Sequence, residues 1–561
     1  MIPPLRAARS PSRLVKLAPC IIAAIVMSVL WLVRYPFPVG IAQDDGMYMI
    51  LAKALATGRG FRTINLPGAP AGVHFPPGYP LLLAALWKLA PNFPANTVIF
   101  ALANIVLLGV AAAGLFVLCR RLGLTAPYAA TCTLAGFLMP PALWMGTALL
   151  SEPLWLALTI WCLVWIESAI QRPRSIRWST AIAIGLSAGL IALVRTQAAA
   201  LVFGIVVVLA IRKEWKLVAL TVLGALLALG PWQIWVARHA AGIPAAVAGK
   251  YGPYATWLLD GLRDRGPALI LTAFVHNVAS SADIVGAMFG PPGASWIGVI
   301  LLAGPAVAGA RRLARCAPVL FVMLLAHTAI IILLPWEPRR YIWTSWPFLT
   351  LWIGAGFVEL AAMLAQRSAR MSETGPSPGW RVARAAIAVD GTLLGIAAAA
   401  LTGIMLWTGA YRAIAAGQAR RIVPAVAWVQ QHASREAVVA SDDETAIYLY
   451  TGRLSVPAST FNAAAYGRNI DPSAGVFDAV IAHYHPELAV VSWNTTVDAA
   501  MRLSSGVHPV LRPVARIDLG VIFERTNAAG VDSERGTANT ASRGERSSFS
   551  TPPVAVGVMI R

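Results

Sequence analysis

A chain of 561 residues with 58% hydrophobic and only 12% charged side chains lies far from soluble proteins, where about a quarter of residues are charged. Its formal charge of +20 is no nucleic-acid footprint, because the basic residues are confined to alternate gaps between apolar runs. Composition and charge placement exclude a soluble enzyme and a nucleic-acid binder and leave a polytopic α-helical membrane protein.

Residues 1–16 carry Arg6, Arg9, Arg13 and Lys16, a basic cytoplasmic N-terminus under the positive-inside rule. The first apolar run continues through "CIIAAIVMSVLWLV" without a small-residue cleavage site, so 17–34 is a retained span. Residues 35–96 form a first outer loop. It opens with the acidic pair Asp44 and Asp45 and holds a short helix over 45–57 that ends at the glycines of "TGRGF". The apolar piece 76–91 is too short to span and is expected at the interface.

Spans follow at 97–119, 126–146, 152–170, 178–195, 197–211 and 217–236, with 195–197 either a loop or a kink. A second large outer loop, 237–293, contains "GKYGPYATWLLDGLRDRG" and is interfacial in character. Spans at 294–310, 316–335, 341–363 and 385–407 bring the total to about eleven. Arg120/Arg121, Arg172/Arg174/Arg177, Arg212/Lys213/Lys216, Arg311/Arg312/Arg315 and Arg367/Arg370/Arg381/Arg384 fill every second gap. That parity puts the N-terminus in the cytoplasm and the C-terminal region outside.

Residues 408–527 read as a small outer α/β domain. "RIVPAVAWVQQHAS" has helical period, "AVVAS", "AIYLYTG" and "LAVVSW" read as buried strands, and "RIDLGVIFER" as a closing strand. Residues 528–561 turn to Ser, Thr, Gly, Asn and Arg, too polar to bury a core, and are expected to be disordered. The five cysteines lie in or at the ends of apolar runs, with no disulfide or zinc spacing.

Ionisable residues gather at the expected outer ends of spans. Asp44 and Asp45 follow the first span and His74 sits in the same loop. Glu152 opens the fourth span and Arg195 ends the fifth. Glu337, Arg339 and Arg340 precede the tenth. Acids and arginines converging at one face suit chemistry on a charged lipid head group, since guanidinium groups bind phosphate oxygens in pairs. Each has a plainer reading. The acidic pair is solvated, Glu152 is a helix-terminal carboxylate with Ser151 as cap, His74 is a loop residue, and the arginines anchor at the interface. Their meeting at one face outweighs any single assignment.

The acidic pair followed by Tyr48, "LA", "GRGF" and "HFPPGYPLL" resembles the lipid-dependent glycosyltransferases of the GT-C superfamily, in particular the protein O-mannosyltransferase and aminoarabinose transferase group. "LLSEPLW", "GLIALVRTQAAAL" and "EPRRYIWTSWPFL" continue the resemblance in order, over roughly residues 17 to 525. It implies a GT-C-like transmembrane catalytic domain (17–407) and transfer of a sugar from a polyprenyl-phosphate donor to a lipid, glycan or protein acceptor. It also implies a multi-pass protein of the inner (plasma) membrane with its reaction on the periplasmic side. By resemblance Asp44 is the first acid of the loop pair, the catalytic base or a metal neighbour, Asp45 its second member and Glu152 the second-loop acid; as mechanism, Asp44 is the choice for base and Glu152 orients acceptor or metal. Arg195, Arg339 and Arg340 are phosphate-binding candidates, and His74, Tyr48 and Glu337 are neighbours of acceptor or metal. A divalent metal cation stays open as cofactor. Aminoarabinose transferases carry an acid, a lysine and two prolines where this chain has His74, Phe75 and the prolines, so their phosphate-binding lysine is missing. A transporter of lipid or glycan precursors and an O-antigen-ligase-like enzyme are the competing readings. Charges at span ends and the lack of an internal repeat count against the transporter, and the early acidic pair and the α/β tail fit a ligase less well.

Overall fold

The computed structural model describes residues 13–34, 38–139, 145, 148–171, 176–287, 293–371, 409–468, 473–505 and 507–526, together with 395, 403 and 405. The expected span 385–407 and the tail 528–561 lie outside the described residues.

The membrane part is helical: α1 (Arg13–Val33), α2 (Asp44–Ala56), α3 (Gly78–Leu89), α4 (Thr97–Arg121), α5 (Ala126–Leu138), α6 (Glu152–Ile170), α7 (Trp178–Ala192), α8 (Ala199–Ile211), α9 (Trp215–His239), α10 (Tyr254–Arg265), α11 (Ala268–Ala287), α12 (Ser295–Cys316), α13 (Pro318–Leu333) and α14 (Arg339–Met371). Among the described residues seven helices are long and apolar enough to cross a bilayer, and α3, α7, α13 and the segment Thr196–Ile211 are shorter apolar helices. The hydropathy pattern shows why they stand in lipid. Helix α4 buries Phe100, Asn104, Ile105 and Leu108 while Leu102, Val106 and Val110 are exposed. An apolar face turned outward is unfavourable in water and natural in a bilayer. Small residues let helices approach closely: a Cβ at Gly185 of α7 would stand 1.9 Å from the Thr221 carbonyl of α9.

Two details sharpen the sequence reading. Residues 196–198 form a 3₁₀ turn between α7 and α8, and this break presents Arg195. Helix α11, inside the segment expected to be an outer loop, is long enough to span. Yet its Asn277 donates to the carbonyls of Ile331 and Leu334 at the end of α13, and Gly286 abuts Ser295 at the start of α12. Asn277 and Gly286 therefore sit at the end of the bundle where α13 stops and α12 begins. Arg311, Arg312 and Arg315 lie at the other end of α12, where Glu359 takes both Arg312 and Arg315.

The C-terminal domain comprises α15 (Ala410–His432), β1 (Val438–Ser441), α16 (Glu444–Thr451), β2 (Leu454–Pro457), α17 (Ser473–Tyr484), β3 (Leu488–Val491), α18 (Asn494–Ser504), β4 (Leu511–Ile517) and β5 (Gly520–Arg525). Its sheet has the order β2-β1-β3-β5-β4, parallel for β1 with β2 and β3, antiparallel for the rest. Two sequence expectations are corrected. "AIYLYTG" is the helix α16 and not a strand, because parallel β1 and β2 need a crossover. The acid of Glu444 sits in its first turn and Gly452, at φ 74°, closes it in the left-handed conformation. "RIDLGVIFER" is a hairpin turning at Asp518–Leu519 between β4 and β5, not one strand.

Candidate active site

The first loop folds because two polar residues tie it down. Asp45 is buried, and its carboxylate accepts from the backbone N–H groups of Gly40 (2.8 Å) and Ala42 (3.1 Å). This closes the turn that leads from α1 into α2. Burial pushes the Asp45 carboxyl up to about 6, against the lowering effect of those hydrogen bonds. Asp45 thus holds the turn, while its neighbour Asp44, 30% exposed, turns toward α14.

Four charges meet there, three from the starts of the helices α2, α6 and α14 and one from the break between α7 and α8. Arg340, in the first turn of α14, donates from one guanidinium nitrogen to Asp44 and from Nε to Glu152 Oε1 at 2.6 Å. Glu152, fully buried at the start of α6, also holds Arg195 Nη1 at 2.9 Å. Two acids and two arginines balance, which offsets the cost of taking them out of water. The balance leaves valences over: Glu152 Oε2 and Arg340 Nη2 are buried and have no partner among the described residues. Two opposite, unsatisfied groups side by side are what a ligand carrying both donor and acceptor atoms would complete.

Ser151 sits at the N-cap of α6 but its side chain does not cap the helix. Its hydroxyl instead bridges Tyr48 OH (3.0 Å) and Arg195 Nη1 (3.0 Å). Tyr48 packs against Phe75 and Tyr79, and burial lifts its hydroxyl well above the usual phenol range, so it serves as a neutral hydrogen-bonding group. His74 lies against Tyr254 (ring centroids 4.3 Å) and Phe75. Burial lowers its pKa, so Nδ1 carries the proton it shares with the Gly252 carbonyl at 2.6 Å. That tautomer leaves Nε2 as an acceptor.

The structure therefore brings together Asp44, Glu152, Arg195, Arg340 and Tyr48, with His74 on the adjoining wall. It does not bring in Glu337, which is exposed and faces Ser280 and His276. Arg339 is exposed beside Arg340 and has no ion-pair partner among the described residues. Sequence reasoning missed Tyr254 and Gly252; the "YGPY" stretch, with two tyrosines about a Gly-Pro turn in an outer loop, was the available signal.

Hard cations draw on several oxygen ligands; here Glu152 Oε1 and Asp44 Oδ2 face Arg340, while Glu152 Oε2 is without a partner among the described residues. Among the described residues no group of three His, Cys, Asp or Glu could hold a metal.

No protein-family model matches the sequence, and no curated protein matches it. Two solved structures of ArnT from Cupriavidus metallidurans align over most of the chain. The one bound to undecaprenyl phosphate is 16% identical, covers 91% of this chain and 98% of its own, and has a TM-score of 0.50. The apo-state structure is 15% identical, covers 90% and 97%, and has a TM-score of 0.49. The first of these carries the fold: a polytopic helical membrane protein with a small C-terminal sheet domain, similar in fold to ArnT.

Proposed function

We propose that the protein is a membrane glycosyltransferase that moves a sugar from a polyprenyl-phosphate donor to an acceptor hydroxyl at the periplasmic face of the inner membrane. The observation that carries this reading is the half-buried Asp44–Arg340–Glu152–Arg195 network with its buried, unsatisfied Glu152 Oε2 and Arg340 Nη2. The fold shared with ArnT supports it, and undecaprenyl phosphate, bound in that protein, is the lipid carrier to test first.

In this reading Arg340 Nη2 and the exposed Arg339 receive the oxygens of the leaving phosphate as its charge develops, a task guanidinium groups perform by paired hydrogen bonds. Asp44, whose Oδ2 is held by Arg340, keeps Oδ1 for the proton of the attacking hydroxyl. Glu152 Oε2 orients the acceptor or the sugar, and Arg195 and Ser151 fix Glu152 and Tyr48 in place. One displacement at the anomeric carbon inverts its configuration. No step is routed through a metal ion. Periplasmic orientation rests on the alternating basic gaps of the sequence, with the N-terminus cytoplasmic and the C-terminal domain outside.

The test is consumption of labelled polyprenyl-phosphate sugars by purified protein, with native membrane extract as acceptor. Sugar transfer from one donor supports the reading and names the sugar. No consumption from any donor, with the same protein moving the intact lipid across vesicles, would assign it to lipid transport.

A further inference from the structure

Two walls of the site rest on one short helix of the C-terminal domain. On the first, Thr445 and Ala446 of α16 press on the turn that holds the acidic pair. A Cβ at Gly46 would stand 2.1 Å from Thr445 Oγ1, and one at Gly40 would stand 2.7 Å from the Ala446 Cβ. Tyr450, from the same helix, accepts a hydrogen bond from the Val39 N–H at 2.9 Å. On the second, Glu444 is fully buried. Its Oε1 accepts from Tyr251 OH at 2.9 Å and its Oε2 from Lys250 Nζ at 2.9 Å. Tyr251 OH in turn accepts from Asn65 Nδ2 at 2.7 Å, and Asn65 is hydrogen-bonded through its backbone to Ser455. One residue beyond Tyr251 the Gly252 carbonyl takes the His74 ring proton, and two residues further Tyr254 covers the ring.

A buried carboxylate is costly unless every oxygen is satisfied. An apolar contact would dock the loop as firmly without fixing its register, whereas a Glu444 carboxylate with both oxygens taken, by Tyr251 and Lys250, favours one arrangement. We propose that Glu444 is a positioning residue of the active site: through Lys250 and Tyr251 it sets the segment 248–254 so that Gly252 and Tyr254 hold the His74 ring beside Asp44. The C-terminal domain is then part of the catalytic apparatus and not an appendage. The kinetic consequence rests on the transferase reading; the structural one does not.

The experiment uses the full chain in lipid nanodiscs, as wild type, Glu444→Gln, Tyr251→Phe and the double variant. Amide hydrogen exchange of 248–254, the melting temperature, and kcat and KM with the polyprenyl-phosphate sugar found active are measured on each. Tyr251→Phe removes a single hydroxyl and guards against a Glu444 variant that fails to fold. The expected result is faster exchange across 248–254 by about tenfold in Tyr251→Phe, the scale of one lost hydrogen bond, and by more in Glu444→Gln, which also leaves Lys250 without its buried partner and lowers the melting temperature. In parallel kcat per folded molecule falls about tenfold or more while KM for the donor hardly moves, and the double variant is no worse than Glu444→Gln alone, because both break the same link. Unchanged exchange in 248–254 would overturn the proposal, as would a lowered melting temperature with kcat per folded molecule intact. Should the wild type turn over no donor, the transferase reading fails and the exchange data still decide whether Glu444 sets the loop.

Discussion

Replacing Glu152 by glutamine tests the charge balance of the site. The side chain is fully buried, and its Oε1 receives Arg340 Nε at 2.6 Å and Arg195 Nη1 at 2.9 Å. Glutamine keeps the shape and removes the charge. Arg340 retains Asp44, but Arg195, only 8% exposed, is left with the neutral Ser151 and Gln197. Removing one partner of a buried pair costs about 3–5 kcal/mol, mostly the penalty of the charge left behind. In Glu152→Leu/Arg195→Met the orphan is gone, and stability returns to within about 1 kcal/mol of wild type, since replacing a buried pair by apolar residues of similar volume is often neutral. Denaturant unfolding in detergent reads the stability, and donor consumption reads the chemistry. Sugar transfer is lost in both variants, so stability and activity part company in the double one. A Glu152→Gln protein as stable as wild type, or a double variant no better than the single, would refute the balance.

Chelation with EDTA leaves turnover unchanged, because among the described residues no group of three His, Cys, Asp or Glu could hold a metal and Asp44 and Glu152 each give one oxygen to Arg340; loss of turnover restored by one divalent ion would contradict this. Gly46→Ala drives a methyl into Thr445 and is expected to cost about 1–3 kcal/mol, the usual penalty of overpacking; a melting curve matching wild type would show that the two domains do not meet there. Stability should also respond to pH through Asp45. Its carboxyl is raised from 3.8 to about 6 by burial, so the fold favours the protonated form. That contribution is complete below the unfolded value and is lost as pH rises through about 6. Asp443, raised to about 6 by the same cause, acts in the same window. Asp45→Asn therefore makes the decline in stability between these pH values shallower without abolishing it, and an identical pH profile would remove Asp45 from the account.

Most of the architecture could be read from the chain because a bilayer imposes a length and a composition on every span. The candidate residues could be read because charge is scarce: Asp44, Glu152, Arg195 and Arg340 stood out at span ends. Their pairing could not, since the four positions come from segments far apart in the chain and only packing brings them together. Ser151 looked like a helix cap, and nothing local to it announces Tyr48 or Arg195 as its partners. Helix α16 was misread because a short apolar, aromatic run fits a strand or a buried helix equally well. Glu444 and Lys250 were invisible for the opposite reason from the membrane charges: in water-facing segments acids and lysines are common, and only burial marks these two.

The central claim is that Asp44 takes the proton of the acceptor as a sugar leaves its polyprenyl phosphate. Single-turnover transfer from the active labelled donor, compared between wild type and Asp44→Asn at equal folded concentration, tests it most directly. The account predicts that Asp44→Asn still binds the donor and transfers at least about a hundredfold more slowly, the lower range for loss of a positioned base. Equal transfer rates in the two proteins would contradict it.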